Sequence, residues 1–155
     1  MHTPTNLIEA LELLKHFYEH QMPFDRLLGI RVETLTAVKV AVRIDMRQEL
    51  IGNFVRNILH GGVISSVLDL TGGLIASVDL VKHLDGSSLE DISRRLTRIG
   101  TVDLRVDYLR AGQGKYFTAT GTVLRRGNKV AVVRTELIND QELLIAAGTG
   151  TYLVG

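Results

Sequence analysis

The chain has 155 residues, enough for one domain with a core of its own. Its 18 Lys and Arg against 17 Asp and Glu leave a net charge of +1, so no bulk field draws nucleic acid or an anionic membrane. The absence of cysteine excludes a disulfide framework, a thiolate zinc site and thiol catalysis, and with no signal-peptide pattern at Met1 to Asn6 a cytoplasmic protein is expected.

Thr3-Pro4 reads as the N-cap and first-turn proline of an N-terminal helix within residues 1–22. Leu7, Leu11, Leu14 and Tyr18 fall on one face of it, and Pro23 ends it. Inside lies His16-Phe-Tyr-Glu19-His20, a match to the H-x-x-E-H zinc pattern. The pattern lacks a third ligand and the size of such peptidases, so no metal is expected. Phe24 to Ile30 reads as a short connection anchored by Leu27, Leu28 and Ile30. From Val38 the period changes to two: Val38, Val40, Val42, Ile44 and Met46 alternate with Lys39, Ala41, Arg43 and Asp45, a strand with one buried face. Gln48 to Asn57 reads as a loop.

The rest of the chain is organised around one long segment. His60-Gly61-Gly62 opens an almost wholly apolar helix that reaches to about Leu84, where Asp85-Gly86 stops it. Asp69 interrupts the run, and small residues weaken it further, which makes it a poor membrane span. The two glycines leave the first amide N–H groups of the helix uncovered by side chains. Those groups can bind an anion or polarise a carbonyl as it becomes an oxyanion; equally, the glycines can serve only a tight strand-to-helix turn. Asp69 has two readings as well. It is a general base or nucleophile, or it is a buried acid bonded to Ser65 or Ser66 one turn earlier. His60 is a carbonyl donor or a turn residue.

Ser88-Leu-Glu-Asp91 is a capping box, and Ile92, Leu96 and Ile99 come after it at helical spacing, so residues 86–99 read as a short helical insertion with a charged outer face. From Thr101 the pattern is β. Val102, Leu104, Val106 and Tyr108 share a face; Tyr116 to Leu124 and Val130 to Ile138 flank a hairpin turn at Arg125 to Lys129; Leu143 to Val154 is the last strand. Arg125, Arg126 and Lys129 at that turn either grip phosphates or are simply solvated. These elements imply an antiparallel sheet wrapped around one apolar helix, and a second copy of the chain is the economical cover for the remaining helix surface.

Leu59-His60-Gly61-Gly62-Val63-Ile64 followed by Asp69 resembles the signature of hot-dog fold acyl-CoA thioesterases of the PaaI-like group. Gly100-Thr101-Val-Asp103-Leu-Arg105-Val-Asp-Tyr108-Leu-Arg110 resembles that group's strand after the central helix. The turn Arg125-Arg126-Gly127-Asn128-Lys129 and the ending Ala146-Ala-Gly-Thr149-Gly-Thr are similar as well. The N-terminal helix and the insertion resemble the YigI-like branch, whose substrates are medium- and long-chain acyl-CoA thioesters. The resemblance implies an α+β hot-dog fold as a single domain over residues 1–155, and a cofactor-free thioester hydrolase. It implies Asp69 as base or nucleophile, Gly62 N–H polarising the thioester carbonyl, Gly61 and His60 beside it, and Thr101 holding the attacking water. Arg110, Arg125, Arg126, Gly127 and Lys129 are the implied CoA-binding residues. Many relatives carry an asparagine six residues before the histidine, where this chain has Phe54; Asn53 and Asn57 are the candidates for that role.

One helix separates Gly61 from Asp69 by eight residues, about 12 Å. Asp69 of one chain is therefore expected to meet the glycine end of a partner, in a dimer that by family pairs into a dimer of dimers. Partners are thus an acyl-CoA and further copies of the chain, with neither nucleic acid nor membrane. A non-catalytic acyl-CoA-binding module on the same fold is the rival reading, and a hot-dog dehydratase using His60 with Asp69 a third.

Overall fold

A computed structural model describes residues 7–84 and 86–155. The expected Thr3-Pro4 helix start and the Asp85 stop lie outside them.

α1 (Leu7–His16) runs into a π-helical turn at Phe17–Gln21, and Pro23 then starts a second helix, α2 (Pro23–Leu28). Proline at the first helical position has no N–H to leave unsatisfied. Gly29 closes α2 at φ 72°, donating to the Asp25 and Arg26 carbonyls. The segment read as a plain connection is therefore helical, and Leu27 is exposed while Leu28 and Ile30 are buried. The zinc-like pattern has a structural use: Glu19 Oε1 accepts from Val32 N–H at 2.7 Å, and His16 and His20 are exposed.

β1 (Arg31–Leu35) and β2 (Val40–Asp45) form a hairpin. Val38, expected on the buried face, is exposed in the turn before β2. A 3₁₀ turn at Gln48–Leu50 leads to a small two-stranded ribbon, β3 (Ile51–Asn53) with β4 (Ile58–Leu59). α3 (Gly61–His83) comes next, then α4 (Leu89–Leu96). α4 keeps its capping box: Ser88 Oγ accepts from Asp91 N–H at 3.2 Å and donates to its carboxylate at 2.9 Å. β5 (Gly100–Tyr108), β6 (Tyr116–Arg126), β7 (Val130–Asn139) and β8 (Leu144–Leu153) complete the chain.

Six strands form one antiparallel sheet in the order β1-β2-β6-β7-β8-β5, curled around α3 as the hot-dog fold requires. β7 alternates strictly, with Ala131, Val133, Thr135 and Leu137 turned inward. α3 is buried on every side from Thr71 to Val78. The cover opposite the sheet is α1 of the same chain, which packs on α3. α1 thus covers part of the helix surface for which a second copy was expected, while Gly61, Gly62, Val63, Ser65, Ser66, Asp69 and Leu70 stay partly exposed. α3 is long and apolar enough to cross a membrane, but most of it is interior to this fold.

Candidate active site

β4 delivers the chain to α3 along a fixed path. Leu59 N–H donates to Gly112 O at 2.9 Å and His60 N–H to Leu50 O at 2.8 Å. His60 is the helix N-cap, and its Nδ1 accepts from Gly62 N–H at 2.8 Å. The two glycines implied an uncovered helix start; instead the imidazole caps it, doing what Ser or Asp does elsewhere. Gly61 N–H has no acceptor among the described residues. The Gly61 carbonyl accepts from the Tyr108 hydroxyl at 3.0 Å, and a Cβ on Gly61 would sit 3.3 Å from that ring. The first glycine is there for close approach.

Asp69 lies two turns further on, half-buried. Thr101 Oγ1, at the start of β5, donates to Asp69 Oδ1 at 2.9 Å. The Tyr152 hydroxyl, from β8, lies 3.2 Å from the same oxygen and 3.1 Å from the Asp69 carbonyl oxygen. No Lys, Arg or His among the described residues forms an ion pair with this carboxylate. The alternative that Ser65 or Ser66 holds it fails. Both hydroxyls turn back to the Gly62 carbonyl, at 3.0 and 2.7 Å.

Tyr152 is the site residue that sequence reasoning missed. Its ring fills space left by two glycines. A Cβ on Gly72 would fall within 2.1 Å of its hydroxyl oxygen, and one on Gly150 within 2.5 Å. Tyr18 sits beside it, against Gly73. Burial, and then the Asp69 charge, push the Tyr152 phenol well above the usual range; burial does the same to Tyr18. Both hydroxyls therefore stay protonated and available as donors.

The other expected site residues are dispersed. Asn53 Oδ1 accepts from Arg56 N–H within its own turn at 3.1 Å, and Asn57 supplies that turn's left-handed residue at φ 52°. Neither hydrogen-bonds Asp69 or Gly62. Arg110 donates to the Leu144 carbonyl at 2.9 Å. Arg126 is paired with Asp79 at 2.6 Å. Arg125 and Lys129 are exposed, and Gly127 N–H closes their hairpin on Val130 O at 2.8 Å.

Comparison with known proteins adds three findings. The family described as the Thioesterase superfamily matches residues 56–146, the span from the β3–β4 turn to β8. The chain is 44% identical, over 95% of each chain, to the medium/long-chain acyl-CoA thioesterase YigI of Escherichia coli K12, and to the YigI of Salmonella typhimurium to the same extent. A crystal structure of a protein from Shewanella oneidensis, described as related to the thioesterase superfamily, superposes with a TM-score of 0.94 at 46% identity, covering 99% of this chain and 100% of that one.

Proposed function

The chain belongs to the thioesterase superfamily and is a thioester hydrolase, and from this we propose that it cleaves medium- to long-chain acyl-CoA with Asp69 as the reacting carboxylate. The observation that carries the proposal is the setting of Asp69. It is held by two neutral hydroxyl donors and, among the described residues, by no cation. Such donors orient a carboxylate without cancelling its charge, so it can still take a proton.

As general base, Asp69 removes a proton from water, and the oxygen forms a bond to the thioester carbonyl carbon. The carbonyl oxygen takes up the negative charge. When the tetrahedral species collapses the C–S bond breaks, the CoA sulfur leaves with the electron pair, and a proton restores the thiol. The products are a free acid and CoA. A carboxylate, water and backbone amides suffice for each step, with no cofactor. In the nucleophilic variant Asp69 itself attacks, and water then hydrolyses the anhydride.

The amides at the start of α3 are suited to the oxyanion. Gly61 N–H is open to it. Gly62 N–H becomes so when a carbonyl oxygen displaces His60 Nδ1. Within one chain these amides lie about 10 Å from Asp69 along the axis, so the reading requires a partner chain. β5 supports a pairing edge: it is the last strand of the sheet, beside Asp69, and Val102, Tyr108 and Leu109 are exposed along it. Arg125 and Lys129 are the cations proposed for the CoA phosphates. Arg126 is already committed to Asp79.

Purified protein should release free thiol from acyl-CoA, and Asp69→Ala should not. Saturable binding of acyl-CoA without thiol release would instead make the chain a binding module.

A further inference from the structure

Outside the sheet and its central helix the chain carries α1, the π-helical turn, α2 and α4. All four of these, with the face of α3, line a cavity of about 300 Å³. Leu14, Phe17, Met22, Leu96 and Ile99 make its walls, and Ser77 of α3 lies at its base. The lining is mostly apolar. Even the Ser77 hydroxyl is turned away, donating to the Gly73 carbonyl at 2.8 Å.

The cavity lies along the same face of α3 as the site, with Tyr18 lining it and standing against Gly73 between the two. Asp69, Gly73 and Ser77 stand at i, i+4 and i+8 on one stripe of α3. Ile99 lines the cavity, and Thr101, two residues on, holds the Asp69 carboxylate. From Asp69 to Ser77 is about 12 Å along the helix. A saturated chain of ~1.5 Å carbon–carbon bonds at tetrahedral angles covers that in roughly nine or ten carbons. The volume is at the lower end of the few hundred Å³ usual for small-ligand pockets. Occupant length and cavity position therefore agree.

We propose that this cavity, walled by α1, the π-helical turn and α4, receives the distal part of the substrate's acyl chain and sets chain-length preference. The proposal rests on the reading of Asp69 as the reacting group. It gives the elements outside the hot-dog core a task of their own: the core supplies the chemistry and the added helices measure the chain.

Ser93, on α4, faces the cavity and is half-buried. Ser93→Phe would fill it from the periphery, and Leu96→Ala would enlarge it. Each methylene excluded from an apolar site is worth about four-fold. For Ser93→Phe, kcat/KM for dodecanoyl-CoA relative to butanoyl-CoA should fall by roughly 50-fold, as three or more methylenes lose their cover. Leu96→Ala should move the preference toward longer chains. Glu90→Gln, on the exposed face of α4, is the control and should leave the ratio as in the parent. Decanoate alone should raise the unfolding temperature of the parent and not that of Ser93→Phe. An unchanged ratio in both cavity variants, with no difference in decanoate stabilisation, overturns the proposal. Ser93-dependent stabilisation by decanoate without any thioester hydrolysis would keep the cavity and overturn the proposed reaction instead. If Ser93→Phe does not fold, the Leu96→Ala profile decides.

Discussion

α3 carries two half-buried carboxylates, almost three turns apart, and the protein surrounds them in opposite ways. Asp79, near the C-terminal end, is locked to Arg126 at 2.6 Å, with side chains only 14% and 23% exposed. Asp69 receives the hydroxyls of Thr101 and Tyr152 and, among the described residues, no cation. An ion pair cancels charge and fastens β6 to the helix. Two hydroxyls hold the carboxylate in place but bring no compensating charge. One helix thus holds an acid neutralised by an ion pair and the acid proposed to react, and the difference lies in the partner rather than in burial.

The harshest test of that contrast is Asp69→Ala. Loss of a general base or nucleophile should lower kcat by about 10³-fold, while the unfolding temperature changes little. Turnover equal to the parent's would remove Asp69 from the mechanism. A third carboxylate extends the comparison. Asp25 of α2 is 5% exposed, and its Oδ2 is buried with no hydrogen-bond partner among the described residues. Burial pushes this carboxyl up to about 6 from 3.8. Its folded value lies above its unfolded one, so its contribution to stability is complete below about pH 3.8 and is lost as pH rises through about 6. Asp25→Asn imitates the protonated form. In urea unfolding at pH 7.5 the variant should be more stable by about 2 kcal/mol, and at pH 4 the two should coincide. A constant difference across pH would mean that Asp25 has a partner in solution.

Arg126→Ala probes the structural acid. It leaves Asp79 with only the more distant His83, at 3.9 Å, and because the pair with Arg126 is only partly buried the cost should be about 1–2 kcal/mol in unfolding free energy. Specific activity at a temperature where the variant is folded should hold. A collapse of kcat in folded Arg126→Ala would erase the distinction between the two acids.

How far each element was legible in the sequence depends on the range of the interactions that make it. α3 and β5 to β8 were legible because their periodicity is local and long. α2 and β1 were not: each spans few residues, and neither a 3.6 nor a 2.0 period establishes itself over Pro23–Leu28 or Arg31–Leu35. Asp69 stood out as an acid inside an apolar helix. Of its partners, Thr101 was reached only through the family resemblance, as a holder of water, and Tyr152 not at all, since both come from strands remote in the chain and a phenol at the end of β8 carries no local signature. The one clue was Gly72 and Gly150, glycines in a helix interior and a strand interior, where each is costly; both leave room for the Tyr152 ring. His60 as cap was missed because imidazole is a rare N-cap beside Ser, Asp and Asn.

Tyr152→Phe tests how much of the hold on Asp69 comes from the second hydroxyl. The ring still fills the space beside Gly72 and Gly150, so packing is retained and stability should change by about 1 kcal/mol or less. Only the hydroxyl at Asp69 Oδ1 and the Asp69 carbonyl is lost. Orientation then rests on Thr101 alone, and kcat should fall by about ten-fold, the equivalent of one charge-assisted hydrogen bond. An unchanged kcat would leave Thr101 as the hydroxyl that matters, and Asp69 would then differ from Asp79 through a single partner.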